Sequence, residues 1–111
     1  MKNYLAVFLG SPEAMKNWKP DEATMKQGME AWSKWATDNK DRIADMGSPL
    51  GKTKKVSKGG IEDIRNEMGA WTIVKAESQE EAAKMFEGHP HFTIFPGDRV
   101  EVMECLPMPT M

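Results

Sequence analysis

Residues 69–91 read GAWTIVKAESQEEAAKMFEGHPH. The first part, Ala70 to Lys75, carries the β-branched and aromatic side chains of a strand. Ser78 and Glu81 then stand in the S-x-x-E spacing of a capping box, in which each side chain satisfies a main-chain N–H at a helix start. The spacing predicts a helix from Gln79, with Ala82, Ala83, Met85 and Phe86 on its buried side and Gly88 and Pro90 ending it. Both histidines of the chain, His89 and His91, follow at once.

Upstream, residues 3–9 (NYLAVFL) form a short apolar run closed by Gly10, Ser11 and Pro12, the pattern of a strand covered on both faces. Residues 10–20 read as a connection, because Pro20 restrains the residue before it from helical torsions. Past Asp21, apolar residues fall at Met25, Met29, Trp32, Ala36, Ile43 and Met46, one stripe of a helix that Trp35 widens. A helix over residues 21–45 is predicted, stopped by Gly47 and Pro49. Gly28 lies inside it, at a cost of roughly 1 kcal/mol relative to Ala, and leaves room for close approach by another group.

Residues 50–58 (LGKTKKVSK) alternate weakly and hold four lysines, as protected edge strands do. Gly59 and Gly60 open a polar loop reaching Glu67. Past the histidines, residues 92–95 are a short apolar run, Pro96-Gly97-Asp98 a turn, and residues 99–106 a strand alternating Val100 and Val102 against Glu101 and Met103. The order strand, helix, strand, strand, helix, strand is that of an α+β, ferredoxin-like βαββαβ fold, a four-stranded antiparallel sheet with two helices on one face. Its second face must be polar or covered, and Leu5, Val7, Trp71 and Ile73 make self-association the cheaper solution.

With 111 residues the chain fits one domain, residues 1–111, around one core. A net charge of −2 disfavours nucleic acid and anionic membrane surfaces as partners, and Glu62, Asp63 and Glu67 blunt the lysine cluster. The single cysteine, Cys105, excludes an internal disulfide and a thiolate zinc site, and reads as a small buried hydrophobe rather than a nucleophile. Residues 4–9 are far short of the roughly 20 apolar residues of a membrane span, so a cytoplasmic protein is expected. Ten methionines, several at helical spacing, are read as core filler.

The run Gly69-x-Trp71-x-Ile73-Val74-x-Ala76-x-Ser78-x-x-Glu81-Ala82, with Gly47-Ser48-Pro49-Leu50, Pro90 and Glu101-Val102, resembles the YCII-related or DGPF-domain proteins, small bacterial dimers of the α/β-barrel type. The resemblance implies a homodimeric α/β barrel in which two sheets pack face to face, with a cleft in each protomer. Some members carry a His-Asp pair with the histidine on the first helix. Residues 21–45 hold no histidine, and the segment before Gly69 reads GGIEDIRNEM where the family's Asp-Gly-Pro-Phe would stand. The wider group includes isomerases, dehydrochlorinases and monooxygenases that act on small cyclic compounds.

His89 and His91, two apart, would share one side of an extended segment, and imidazoles suit proton transfer near neutral pH. Their alternative use is to bond a helix C-terminus. Without an evident third ligand they make a poor metal site, and no cofactor is implied. Asp98 could orient a histidine, or simply stabilise its turn. Trp71, Trp32 and Tyr4 are the candidate substrate-binding aromatics, with ordinary core packing as their other reading. Two functions follow: proton-transfer chemistry, isomerase- or lyase-like, on a small cyclic compound, or a non-catalytic dimeric protein that binds a small molecule.

Overall fold

Lys2–Leu9 is the first strand (β1), and it lies inside the sheet, as its composition requires. Tyr4, Ala6 and Phe8 are buried on one face, while Val7 and Leu9 are largely withdrawn from water on the other. The computed structural model describes residues 1–109. Its elements continue with helix α1 (Pro12–Asn17), helix α2 (Glu22–Asp38), strand β2 (Ile43–Pro49), strands β3 (Thr53–Ser57) and β4 (Gly60–Ile64), strand β5 (Met68–Ala76), helices α3 (Gln79–Lys84) and α4 (Pro90–Thr93), and strand β6 (Arg99–Glu104). The main sheet has the order β2-β5-β1-β6 with every neighbouring pair antiparallel, the ferredoxin-like arrangement. No helix is long and apolar enough to cross a membrane among the described residues.

Register assigns the faces. Tyr4, Ala6 and Phe8 stand opposite Val74, Thr72 and Ala70 on β5 and opposite Glu104, Val102 and Val100 on β6. Trp32 and Trp35 of α2, with Ala82 and Phe86 from the α3 region, cover this face and close the core. The other face carries Leu5, Val7, Leu9, Ile73 and Met103.

The second strand is not where the sequence places it. The predicted helix over 21–45 stops at Asp38, because Asn39 turns back and both its main-chain N–H and its side-chain amide donate to the Trp35 carbonyl, at 3.1 and 2.8 Å. One turn of 3₁₀ helix, Lys40–Arg42, follows, and β-branched Ile43 opens β2 opposite Val74. The seven-residue step from Ala36 to Ile43 therefore kept helical spacing across a chain reversal. Gly47 is no helix cap; it sits in the irregular β2–β5 ladder at φ +68°, where a β-carbon would overlap the Trp71 carbonyl.

Residues 50–58 are likewise no edge of the main sheet. β3 pairs with β4 alone in a separate hairpin, so part of the expected polar loop is a strand. Its lysines have cross-strand partners in register: Lys54 with Asp63 at 2.7 Å, and Lys55 with Glu62.

Residues 10–20, read as a connection, contain α1. Ser11 caps it by accepting the Ala14 N–H at 3.3 Å, and Pro12 occupies the first turn where its missing N–H costs nothing. Asp21 caps α2 in the same way at 2.8 Å, and the Thr24 N–H holds its carboxyl below the usual carboxylate range. The box at α3 forms with one change of partner: Ser78 Oγ accepts from Glu81 N–H, whereas the Glu81 carboxylate takes the N–H of Glu77. Pro90 does not end a helix but starts α4, and β6 stops at Glu104 rather than 106, which leaves Cys105 beyond the strand and exposed instead of buried.

Candidate functional site

Three of the predicted site residues meet where α4 docks between α2 and β1. His89 is the N-cap of α4, its Nδ1 accepting the His91 N–H at 3.0 Å. The two histidines therefore open a helix instead of bonding the end of one. The His89 ring is 1% exposed and enclosed by Trp32, Trp35 and Phe8, with centroids 4.6, 4.7 and 5.0 Å away. Its Nε2 has no hydrogen-bond partner among the described residues. Burial first, and the neighbouring His91 second, lower its pKa to about 4, so the ring is neutral near pH 7.

His91 faces differently. Its Nε2 lies 2.8 Å from the Leu9 carbonyl oxygen. A carbonyl can only accept, so Nε2 carries a proton, and in the neutral tautomer this selects, the lone pair is on Nδ1. The ring lies flat against Gly97, where a β-carbon would overlap the imidazole. Gly97 N–H in turn donates to the His91 carbonyl at 3.0 Å.

The Nε2–Leu9 bond holds His91 on the wall of a cavity of about 430 Å³ between the sheet and α2. Phe8, Trp32, Trp35 and Phe95 supply aromatic walls, and Met15, Met29 and Met46 add flexible thioethers. Gly28 serves the approach its sequence position allowed: a β-carbon there would stand 2.6 Å from the Phe95 ring, so glycine lets Phe95 lie against α2. Thr72 Oγ1 is tied to the Asp45 carbonyl at 2.8 Å, and the Glu67 carboxylate to Arg99 at 2.9 Å.

Trp71 borders the same cavity beside Gly47, although alternation sets it in register with Val7 on the other face. Tyr4 is placed in the core with Val74, Ala76 and Phe86 and does not line the cavity. Asp98 is exposed and paired with Arg99 at 2.9 Å; its main-chain N–H shares the Leu9 carbonyl with His91. No group of three or more His, Cys, Asp or Glu side chains could hold a metal ion among the described residues. Sequence reasoning missed Met15, Phe95 and Gly97. The Ser11-Pro12 pair, a helix-start signature, was the available sign that Met15 sits on an ordered element.

Fold and site together define a ferredoxin-like α+β protein with an aromatic cavity under its sheet and one imidazole on the cavity wall. No protein-family profile matches the chain, and no curated protein does. Among solved structures it is similar to 5-chloro-2-hydroxyhydroquinone dehydrochlorinase (TftG) from Burkholderia phenoliruptrix AC1100, determined in complex with 2,5-dihydroxybenzoquinone. The TM-score is 0.54 at 19% identity, over 90% of this chain and 89% of that one, a likeness of fold.

Proposed function

We propose that the cavity binds a small planar cyclic compound and that His91 exchanges a proton with it through Nδ1. The observation that carries this reading is the bond from His91 Nε2 to the Leu9 carbonyl, which commits one ring nitrogen to the protein and leaves the other as an acceptor beside an aromatic cavity. Trp32 and Trp71 border the ligand space, and His89 positions His91 through its main-chain N–H. The dehydrochlorinase of like fold processes a small cyclic compound, which agrees with lyase- or isomerase-like chemistry.

Kinship with the YCII-related proteins belongs to the same proposal, as does a homodimer formed through the sheet face of Leu5, Val7 and Ile73. The partly exposed Leu5 and Ile73 on that face support it, although Val7 is already buried within one chain.

A second reading, a non-catalytic binding protein, is favoured by one observation: the partner of His91 Nε2 is a carbonyl, not a carboxylate, so the ring lacks the orienting anion of a catalytic dyad. The test is a thermal-shift screen of small aromatic and lactone-like compounds, followed by incubation of each hit in D₂O and NMR detection of deuterium uptake. Uptake that disappears in His91→Gln while binding persists supports proton transfer. Binding without uptake gives the second reading, and a screen without hits removes both.

A further inference from the structure

Among the described residues, the ionisable groups on the cavity lining are Glu67 and His91, and no Lys or Arg lines it. Glu67 belongs to a cluster in which one guanidinium, that of Arg99, serves three carboxylates: Glu101 at 2.7 Å, Glu67 at 2.9 Å and Asp98 at 2.9 Å. The cluster is net negative, so the charge of Arg99 is already more than matched by the three carboxylates around it. The rest of the lining is uncharged: aromatic rings, thioethers, small residues and the hydroxyl residues Ser33, Ser48 and Thr72. A carboxylate or phosphate entering this space gives up its water and meets no fixed cation, since His91 offers a counter-charge only by first taking up a proton, and that is costly in an apolar site. A neutral hydroxyl loses less on entry and can donate to the lone pair on His91 Nδ1.

We infer that the cavity selects an uncharged, hydroxyl-bearing planar ring, such as a phenol, and rejects the same ring bearing a carboxylate. This rests on the cavity being the ligand site, and deepens that reading by fixing the charge of the ligand. Selection is by exclusion: the neutral ring is admitted by stacking area, and the acid is turned away because no Lys or Arg on the described lining pairs with its charge.

Three probes separate charge from size: resorcinol, 3-hydroxybenzoate and methyl 3-hydroxybenzoate, the last matching the acid in shape without its charge. Each is titrated by calorimetry into protein carrying ¹³C-methyl methionine, so that shifts at Met15, Met29 and Met46 report occupancy and the remaining methionines serve as controls. Resorcinol and the ester are expected to move those three resonances, with the acid about a hundredfold weaker than the ester, as an unpaired buried charge demands. Ser33→Lys, which places a cation on the exposed α2 side of the lining, is expected to shift the ratio of acid to resorcinol affinity at least tenfold toward the acid.

Equal affinity for acid and ester overturns charge selection while leaving the ligand site intact. Binding of resorcinol alone overturns it in favour of size. If no probe shifts the three methionines, the cavity is not the site, and the underlying reading falls with the inference.

Discussion

His89 Nδ1 accepts the main-chain N–H of His91 at 3.0 Å, so the proton of its neutral ring sits on Nε2 inside a box of aromatic rings. Protonating Nδ1 would break that bond and bury a charge. The folded chain therefore takes up this proton only near pH 4, whereas an unfolded chain does so near the ordinary value of 6.5. A lowered histidine pKa means that the unfolded state binds more protons between those values, so stability falls as pH falls through that window. The loss is roughly 3 kcal/mol, complete below about pH 4. Urea denaturation at pH 7.5 and 4.5 measures it, and His89→Phe is expected to flatten the dependence. An unchanged slope in that variant would assign the acid sensitivity elsewhere.

Gly97→Ala drives a methyl into the His91 ring. The expected cost is about 1–3 kcal/mol by overpacking, with the bond from Nε2 to the Leu9 carbonyl broken as the ring moves away. Thermal melting reads the first effect, and NMR of the Nε2 proton the second. A variant with wild-type stability and an unshifted ring would show that the loop of residues 96–98 relaxes freely.

Thr72 Oγ1 donates to the Asp45 carbonyl across the irregular part of the β2–β5 ladder. Thr72→Val keeps the shape and removes the donor, leaving that carbonyl without its partner. A loss of about 1–2 kcal/mol is expected in urea titrations. Amide hydrogen exchange should accelerate in β2 and stay unchanged in β6; uniform acceleration would contradict a local role for the bond.

Arg42 Nη2 contacts Glu81 Oε1 at 2.6 Å, joining the turn before β2 to the start of α3, with both side chains partly exposed. Glu81→Gln retains the oxygen that accepts the Glu77 N–H and removes the charge. The expected loss is below about 1 kcal/mol. It should vanish at 1 M salt, where the pair is screened in the wild type as well; a loss that persists in salt would point to the hydrogen bonds instead.

What could be read from the sequence was what neighbouring residues decide among themselves. Ser78 and Glu81 announce a helix start three residues apart, and the strand over 70–75 carries its own composition, so both fall where expected, and the βαββαβ order follows. Ile43 and Met46 misled because they continue the spacing of Met25, Met29 and Trp32 past Asn39; only the pairing of Ile43 with Val74 shows that they belong to a strand. The hairpin was hidden for a related reason: Glu62 and Asp63 look like loop residues until Lys55 and Lys54 stand opposite them. The cavity was least legible, since Phe8, Met15, Trp32, Met46 and Phe95 come from five separate segments and converge only after folding.

Tyr4 stands opposite Val74 on one side and Glu104 on the other. β1 is thus synthesised before both of its neighbours in the sheet, and its apolar side chains have no sheet to join while the intervening chain is made. Nascent-chain folding is accordingly deferred until β6 has left the exit tunnel. In the interval β1 exposes the apolar surface that the finished sheet and helices hide.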